Sequence, residues 1–211
     1  MNADPRPTTL FVLESWFMKK LLGIVVLGLL FMSAPSKAED ISDFQIEGMS
    51  AGDSLLNYMS EKEIKDSMNS PYVFRYPNNS YITVVTLNQS YETYDNVGVV
   101  LKVNDKNYII KALEGMFSYG DEIHKCYEKQ KIISQDIETA FRDKFDKDEW
   151  NGKYNSDKSG KSKVKYIDYE FTEGSAIRII CYDMDKDFKD PIDALTVAIN
   201  SIEFMKYLMN R

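Results

Sequence analysis

Residues 163–183, KVKYIDYEFTEGSAIRIICYD, have the pattern of two strands joined by a turn. Ile167 and Phe171 lie on one face of the first run, because successive side chains of a strand point to opposite sides. The tripeptide Thr172-Glu173-Gly174 is typical of a turn, and the run that begins at Ala176 is interpreted as the returning strand. This stretch predicts an antiparallel hairpin with one buried face.

The rest of the chain supplies further strands and the helices that would cover them. Short runs of β-branched and aromatic residues predict strands at 44–46, 72–76, 81–87, 97–103, 108–113 and 195–199. Apolar residues at helical spacing predict two short helices within 50–68, a helix from Asp121 to about Phe145, and a terminal helix that ends near Asn210. Residues 104–107 are expected to form a hairpin turn, and residues 151–160 a mobile loop. The predicted fold class is α+β: a single domain in which helices pack against an antiparallel sheet.

An N-terminal leader is predicted at residues 18–38. Two lysines precede an apolar run at 21–32, and Ser36-Lys37-Ala38 has the small residues of a cleavage site, so we expect a signal peptide that is cut after Ala38. The apolar run is too short to favour a stable membrane span. Residues 1–17 are interpreted as a start codon placed too early, and residues 39–211 as a mature domain that is periplasmic or secreted.

Cys126 and Cys181 are the two cysteines of the chain. Cys126 lies on the apolar stripe of the predicted helix, and Cys181 shares a strand face with Ile177 and Ile179, so both thiols are expected to point into the same core. An even number of cysteines in an exported chain favours a disulfide. We predict a bond between Cys126 and Cys181. Two buried free thiols are the alternative, because a shared direction does not guarantee the Cα spacing that bonding requires.

The predicted mature chain is acidic. The first 38 residues hold four of the 26 basic and two of the 33 acidic side chains, so the remainder carries a net charge of −9. Binding to a phosphate backbone depends on clustered Lys and Arg, so this charge argues against nucleic acid as a partner. One lysine-rich segment is interpreted as a solvated loop because Asp157 and Asp168 flank it; its members are Lys158, Lys161, Lys163 and Lys165.

The sequence Gly48-Met49-Ser50-Ala51-Gly52 matches the five-residue pattern that holds the serine of many hydrolases. Only nine residues of the predicted mature chain precede it, which is too few for the earlier strands of that fold. The one histidine, His124, precedes any acid that would complete a Ser-His-Asp site, in the wrong chain order. We therefore predict no catalytic residue, and expect the two glycines to allow a tight turn and Ser50 or Asp53 to cap a helix.

Asp183, Asp185 and Asp187 resemble the opening of a calcium-binding loop. Phe188 stands where such loops need glycine, and Ala194 where they need a bidentate glutamate. The three aspartates are a weak calcium candidate, and a solvated acidic connection between two strands is the favoured interpretation. No cofactor is predicted.

Tyrosine and phenylalanine are abundant, with 14 and 11 in the chain. A ligand-binding face along Tyr72, Tyr76, Tyr81, Tyr91 and Tyr94 is conceivable. Packing in or near the core is the favoured interpretation, since sheet cores use the same residues.

Several segments resemble a group of uncharacterised small exported proteins of marine alphaproteobacteria. They are FQIEGMSAGDSLLNYMSEKEIK at 44–65, the helix with Cys126-Tyr127-Glu128-Lys129, IRIICYDMDKDF at 177–188 and DALTVAINSIEFMKYL at 193–208. The similarity covers nearly the whole mature chain, and Met184 stands where relatives are expected to have tryptophan. The resemblance implies export and the same order of segments. It implies no catalytic residues, because no activity is assigned to the group.

Two functions fit these observations. We predict a non-catalytic periplasmic or secreted module that binds an unknown protein or small-molecule partner through its sheet face or strand-rich region. Export, acidic charge, abundant tyrosine and the missing catalytic set favour it. The alternative is a hydrolase that acts on envelope material through paired carboxylates, which requires two acids in one pocket.

Overall fold

The computed structural model describes residues 41–86, 91–142, 144–188 and 192–210. Within them the chain forms eight strands: Phe74–Arg75 (β1), Tyr81–Val85 (β2), Asn96–Lys102 (β3), Ile110–Gly120 (β4), Phe145–Lys153 (β5), Lys163–Phe171 (β6), Ala176–Asp183 (β7) and Asp193–Asn200 (β8). The α-helices are Glu61–Met68 (α1), Ile123–Phe141 (α2) and Ile202–Met209 (α3). The predicted leader at 18–38 and the segment 1–17 lie outside the described residues.

The strands form one sheet in the order β1-β2-β3-β4-β8-β7-β6-β5, and every neighbouring pair is antiparallel. The sheet consists of two meanders, β1–β4 and β5–β8, which join where β4 pairs with β8. Helix α2 carries the chain from the end of β4 at the middle of the sheet to β5 at the far edge. The predicted α+β class with an antiparallel sheet is confirmed.

Helix α2 covers one face of the sheet, which we call the disulfide face. Cys126 of α2 is bonded to Cys181 of β7, with the sulfur atoms 2.00 Å and the Cα atoms 5.9 Å apart. Gln130, one turn further on, donates from Nε2 to the carbonyl oxygens of Lys165 and Ile179, both at 3.0 Å. The bond links positions 55 residues apart, and a chain-entropy model gives such a link about 4 kcal/mol. Covalent and polar contacts thus fix α2 to β6 and β7.

The main core lies on the disulfide face, beneath α2 and the chain segment 41–68, whose buried residues Ile46, Leu55 and Ile64 belong to the same cluster. Its fully buried members alternate along the strands, as the hairpin pattern predicts. They include Ile133, Ile137 and Phe141 of α2, Val97, Val99 and Leu113 of β3 and β4, Ile167 and Tyr169 of β6, Ile177 and Ile179 of β7, and Leu195, Val197 and Ile199 of β8. Burial of each such side chain contributes roughly 1.5–3 kcal/mol.

Helix α3 packs on the opposite face, which we call the reverse face, over β2–β4. Ser201 caps the helix by accepting a hydrogen bond from the N–H of Phe204. Phe204 is buried, and its ring lies edge-on to Tyr81 at 5.3 Å between centroids. Val100 and Ala112 complete this second cluster.

Glu203 attaches α3 to three strands at once. Its carboxylate accepts hydrogen bonds from Lys111 at 2.7 Å, from Lys102 at 3.0 Å and from the hydroxyl of Tyr81 at 3.1 Å. These contacts, chiefly the one from Lys111, lower the pKa of Glu203 to about 2. The helix therefore closes this half of the reverse face by apolar and ionic contacts together.

Strand β5 is the largest departure from the sequence prediction. The helix expected to reach Phe145 ends at Phe141, because Arg142 adopts a left-handed backbone with φ 47°. Residues 145–153 then form an edge strand, so the mobile loop predicted at 151–160 is wrong for its first three residues. The acidic sequence FDKDEWNGK lacks the apolar alternation by which strands are recognised.

The connection from β5 to β6 is held by its own side chains. Asp157 is buried and accepts hydrogen bonds from the backbone N–H groups of Ser159 and Ser162, both at 2.8 Å. These bonds, chiefly that from Ser162, lower the pKa of Asp157. The lysine-rich segment thus begins in a fixed turn and continues into β6.

Smaller departures occur in the first meander. The strand predicted at 44–46 is wrong, since Ile46 forms only an isolated bridge with Met49. The strand predicted at 72–76 is reduced to β1, and β4 extends to Gly120 rather than ending at residue 113. The capping box that divides the first helical region, Ser60 with Glu63, is present at the start of α1. No helix among the described residues is both long and apolar enough to cross a membrane.

Candidate functional site: an aromatic patch on the reverse face

The reverse face of β5, β6 and β7 carries an accessible group of side chains that we call the aromatic patch: Trp150, Tyr166, Asp168 and Arg178. Trp150 and Tyr166 are direct cross-strand partners, and their ring centroids lie 5.0 Å apart at a tilt of 35°. Trp150 remains 43% exposed. A large exposed ring that is already packed loses little rotamer freedom when a partner binds.

Gly152 determines where the Trp150 ring lies. A Cβ atom at Gly152 would stand 2.3 Å from two atoms of that ring. The indole therefore rests on the strand backbone in the space that a side chain would fill. The same packing occurs on the disulfide face, where the ring of Tyr94 lies 2.5 Å from the position of a Cβ on Gly115. Trp150 is held between a backbone and a second ring.

Arg178 contacts both the acidic and the aromatic side chains of the patch. Its Nε and Nη2 donate to the two carboxylate oxygens of Asp168, at 2.5 and 2.6 Å. The guanidinium carbon lies 5.2 Å from the centroid of Tyr166, a cation–π distance. The hydrogen bond to Asp168 raises the pKa of Arg178, so the side chain stays charged. One side of the guanidinium group is therefore already paired with Asp168.

Carboxylates form the rim of the patch along the β5–β6 edge. Asp146 faces Glu170 and Asp148 faces Asp168 in the strand register. Of these four acids, Asp168 alone has an ion-pair partner within the described part of the chain. Like charges that face each other across strands are destabilising by up to about 1 kcal/mol. Positive side chains of a binding partner would relieve this repulsion.

The surface continues towards the middle of the sheet. Glu114 of β4 is accessible to solvent, yet the surrounding protein displaces enough water to raise the pKa of its carboxyl group. Burial, and after it the charge of Glu114, raises the pKa of Tyr182 in β7. Tyr154 packs edge-on against Tyr182, with the centroids 5.8 Å apart. These groups add a polar and aromatic border to the patch.

The structure gives the Gly48–Gly52 segment a structural role. Gly48 and Gly52 adopt φ of 76° and 100°, as a tight turn requires. Ser50 is buried, and its hydroxyl donates to the carbonyl of Ser42 at 2.9 Å. The following helical turn, Leu55–Asn57, is capped by Ser54, so the prediction that Ser50 or Asp53 caps it is wrong.

Two of the three aspartates considered for calcium are paired with a lysine. Lys161 lies 3.5 Å from Asp185 and 2.9 Å from Asp187, whereas Asp183 is at the end of β7. Across the described residues, no group of three or more His, Cys, Asp or Glu side chains is arranged to hold a metal ion. His124 is exposed on the first turn of α2.

The five tyrosines considered for a ligand-binding face do not form one surface. Tyr81 and Tyr76 pack beneath α3 with Phe204, at 5.3 and 5.2 Å between ring centroids. Tyr91 and Tyr94 pack against the main core, and Tyr72 is 66% exposed. The four residues of the aromatic patch were not predicted as a site from the sequence. The sequence did contain one indication of the patch: in β6, Tyr166 and Asp168 alternate with buried residues and so lie together on the opposite face of the strand.

No protein-family model, curated protein or solved structure matches the chain. The function is therefore inferred from the residues themselves.

Proposed function

We propose that this protein is a non-catalytic binding module whose aromatic patch engages a protein partner that presents basic side chains. The observation that carries the proposal is Trp150, which is 43% exposed and yet fixed between Gly152 and Tyr166. Trp, Tyr and Arg are the residues that contribute most to protein–protein affinity, and Trp150, Tyr166 and Arg178 supply one of each. Patches of this kind bind through one central ring and exclude water around it.

Charge determines the kind of partner. Three rim carboxylates, those of Asp146, Asp148 and Glu170, have no ion-pair partner among the described residues. A partner with lysine or arginine side chains relieves the repulsion between facing acids, and the net charge of −7 for the whole chain draws such a partner in. An acidic partner is repelled by the same groups.

The module is proposed to act outside the cytoplasm. The leader pattern at 18–38 and the buried Cys126–Cys181 bond support this location, because disulfides persist in oxidising compartments. Sequencing the N-terminus of protein recovered from the periplasm or medium tests it, with Glu39 expected as the first residue. Recovery of an intact leader in the cytosol would exclude export.

The binding test uses residues 39–211, the predicted mature chain, in which Trp150 is the one tryptophan. A partner captured from an exported-protein extract is purified and titrated while Trp150 emission is recorded. We expect the emission to shift on binding, and the affinity to fall by roughly 30-fold or more in Trp150→Ala, the loss typical of a central aromatic anchor.

The matched control is Tyr72→Ala, which removes an exposed ring near the opposite edge of the sheet and leaves the affinity unchanged. Added salt weakens binding, because the rim charges are solvent-exposed. Equal affinity of the Trp150→Ala and wild-type proteins for the captured partner would refute the role of the patch.

A carboxylate-dependent hydrolase is the second candidate, and one contact favours it. Asp148 and Asp168 face each other across β5 and β6, as paired acids would. Asp168, however, is bound through both oxygens to Arg178, and the pair lies on an open sheet rather than in a pocket. Release of fragments from envelope polysaccharide by the wild type, and its loss in Asp148→Asn, would favour this candidate over the binding module.

A further inference from the structure

A second surface lies on the disulfide face of the same two strands. We call it the lysine groove: Tyr127, Asn151, Lys153, Lys163 and Lys165 line it, together with the backbone of Gly152 and Val164. Strands β5 and β6 form its floor, and the first turns of α2 form one wall. The groove and the aromatic patch lie on opposite sides of the sheet and have no side chain in common, and the backbone of Gly152 borders both.

The floor of the groove concentrates positive charge in an acidic protein. Lys153 and Lys163 are direct cross-strand partners, and Asn151 faces Lys165 in the next rung but one. Like charges in facing positions repel. The ammonium of Lys165 lies 5.8 Å from the centroid of Tyr127, and no carboxylate of the described residues lies within 4.0 Å of the three lysine nitrogens. By contrast, Lys147 and Lys161, on the same strands or beside them, each bind two carboxylates.

The charge balance indicates what the groove accepts. Asp183 is the strand partner of Lys163 on its other side, and Asp183 and Asp193 both act electrostatically on Tyr127, so the three lysines and these two carboxylates leave a positive charge of about +1. The amide of Asn151 and the hydroxyl of Tyr127 add neutral donors. Burial raises the pKa of Tyr127, which keeps its proton available for donation. The side chains that line the groove thus carry five donor groups, which suit a ligand with several acceptor oxygens.

We propose that the lysine groove binds a small soluble ligand through a dianionic phosphate group, such as a phosphate monoester. A phosphate monoester carries a charge of about −1.5 to −2 at pH 7 and three terminal oxygens, which suit the three lysines without an ion-pair partner and the neutral donors of the groove. A carboxylate, with one charge and two oxygens, leaves part of the lysine repulsion in place.

The test is a titration of the full chain with phenyl phosphate, followed by backbone amide shifts and by calorimetry. We expect shifts confined to β5, β6 and the start of α2, and an affinity roughly tenfold lower in Lys163→Gln and in Lys165→Gln, the effect of one charge-assisted hydrogen bond. Lys131→Gln removes an exposed lysine of α2 outside the groove and is expected to change the affinity by less than about twofold.

Inorganic phosphate and acetate are titrated in parallel. Phosphate is expected to raise the midpoint of thermal unfolding above that in sodium chloride of equal ionic strength, and acetate is not. Acetate binding as tight as phenyl phosphate, unchanged affinity in both groove variants, or binding to phosphatidate vesicles without binding to phenyl phosphate would each overturn the proposal.

Discussion

The reverse face of the sheet contains two aromatic clusters, one buried and the other exposed to solvent. Over β2–β4, Tyr76 and Tyr81 lie beneath Phe204 of α3, and Tyr81 is 4% exposed. Over β5–β7, Trp150 and Tyr166 stack as closely, and Trp150 is 43% exposed. The residue types are alike, and the packed helix is the difference. An aromatic cluster on a sheet becomes core where the chain supplies a cover, and an accessible surface elsewhere.

The charges of the two clusters differ in the same way. In the covered half, the single carboxylate of Glu203 is shared by Lys102 and Lys111. In the open half, carboxylates outnumber the one arginine, Arg178, that pairs with them. Internal pairing satisfies the first region, whereas the second keeps unbalanced charge that a partner can neutralise.

The sharpest test of this comparison removes one ring from each half. Phe204→Ala is expected to lower the free energy of unfolding by about 3 kcal/mol or more, because it empties a buried site. Trp150→Ala is expected to cost about 1 kcal/mol, since much of the ring is in contact with water. Urea denaturation of the two variants measures both values, and equal losses would show that the open ring is also core.

A glycine substitution tests how the open ring is fixed. Gly152→Ala places a methyl group 2.3 Å from the Trp150 ring, so the exposed indole must swing away. We expect a red shift of Trp150 emission and a stability change of about 1 kcal/mol or less.

Gly98→Ala is the matched control, because its methyl group would meet the Thr83 methyl at 3.3 Å, a milder contact on β3, in the other half of the sheet from Trp150. Emission that is unchanged in Gly152→Ala and Gly98→Ala alike would mean that Gly152 does not hold the ring.

The smallest expected effect is on pH dependence. The folded-state pKa of Glu203 is lowered to about 2, so its contribution to stability is complete above the unfolded pKa of about 4.3 and is lost as the pH falls towards 2. Glu203→Gln is expected to lose up to about 1 kcal/mol at pH 7, a value reduced by the 43% exposure of the side chain, and to lose the stability step between pH 4.3 and 2.

Glu170→Gln is the counterpart in the open half. It removes a charge that faces Asp146 and is expected to leave stability unchanged or slightly higher at pH 7. A loss in Glu170→Gln as large as that in Glu203→Gln would contradict the contrast between paired and unpaired carboxylates.

The strands with one buried face could be predicted from sequence, because apolar and polar residues alternate along them. In each of β6, β7 and β8, apolar residues recur at every second position. Ile167, Ile179 and Val197 are examples, one from each strand, and all three are buried. Strand β5 shows no such alternation, because seven of its nine residues are exposed. This edge strand is stabilised by pairing with one neighbour. Pairing partners distant in sequence are not visible in local composition.

The candidate site was hidden for the same reason. Tyr166 and Arg178 belong to predicted strands, and their position opposite the buried residues follows from alternation. Trp150 does not, since the sequence predicted a helix that ends near Phe145 and a loop that begins at residue 151, and assigned no element to the residues between them. Without β5 there is no cross-strand partner for Tyr166, and the patch cannot be assembled from the sequence. The sequence held one indication of β5. Trp150 and Gly152 are two residues apart, so on a strand they share a face and the ring can pack over the glycine.

The bond between Cys126 and Cys181 has a consequence for the survival of the protein among proteases. The turn from 154 to 162, at the tip of the β5–β6 hairpin, lies between the two cysteines in the chain, and exposed hairpin tips are where proteases nick folded proteins. After such a nick, one fragment keeps Cys126 and the other keeps Cys181. The two pieces therefore migrate as one molecule until a reductant separates them.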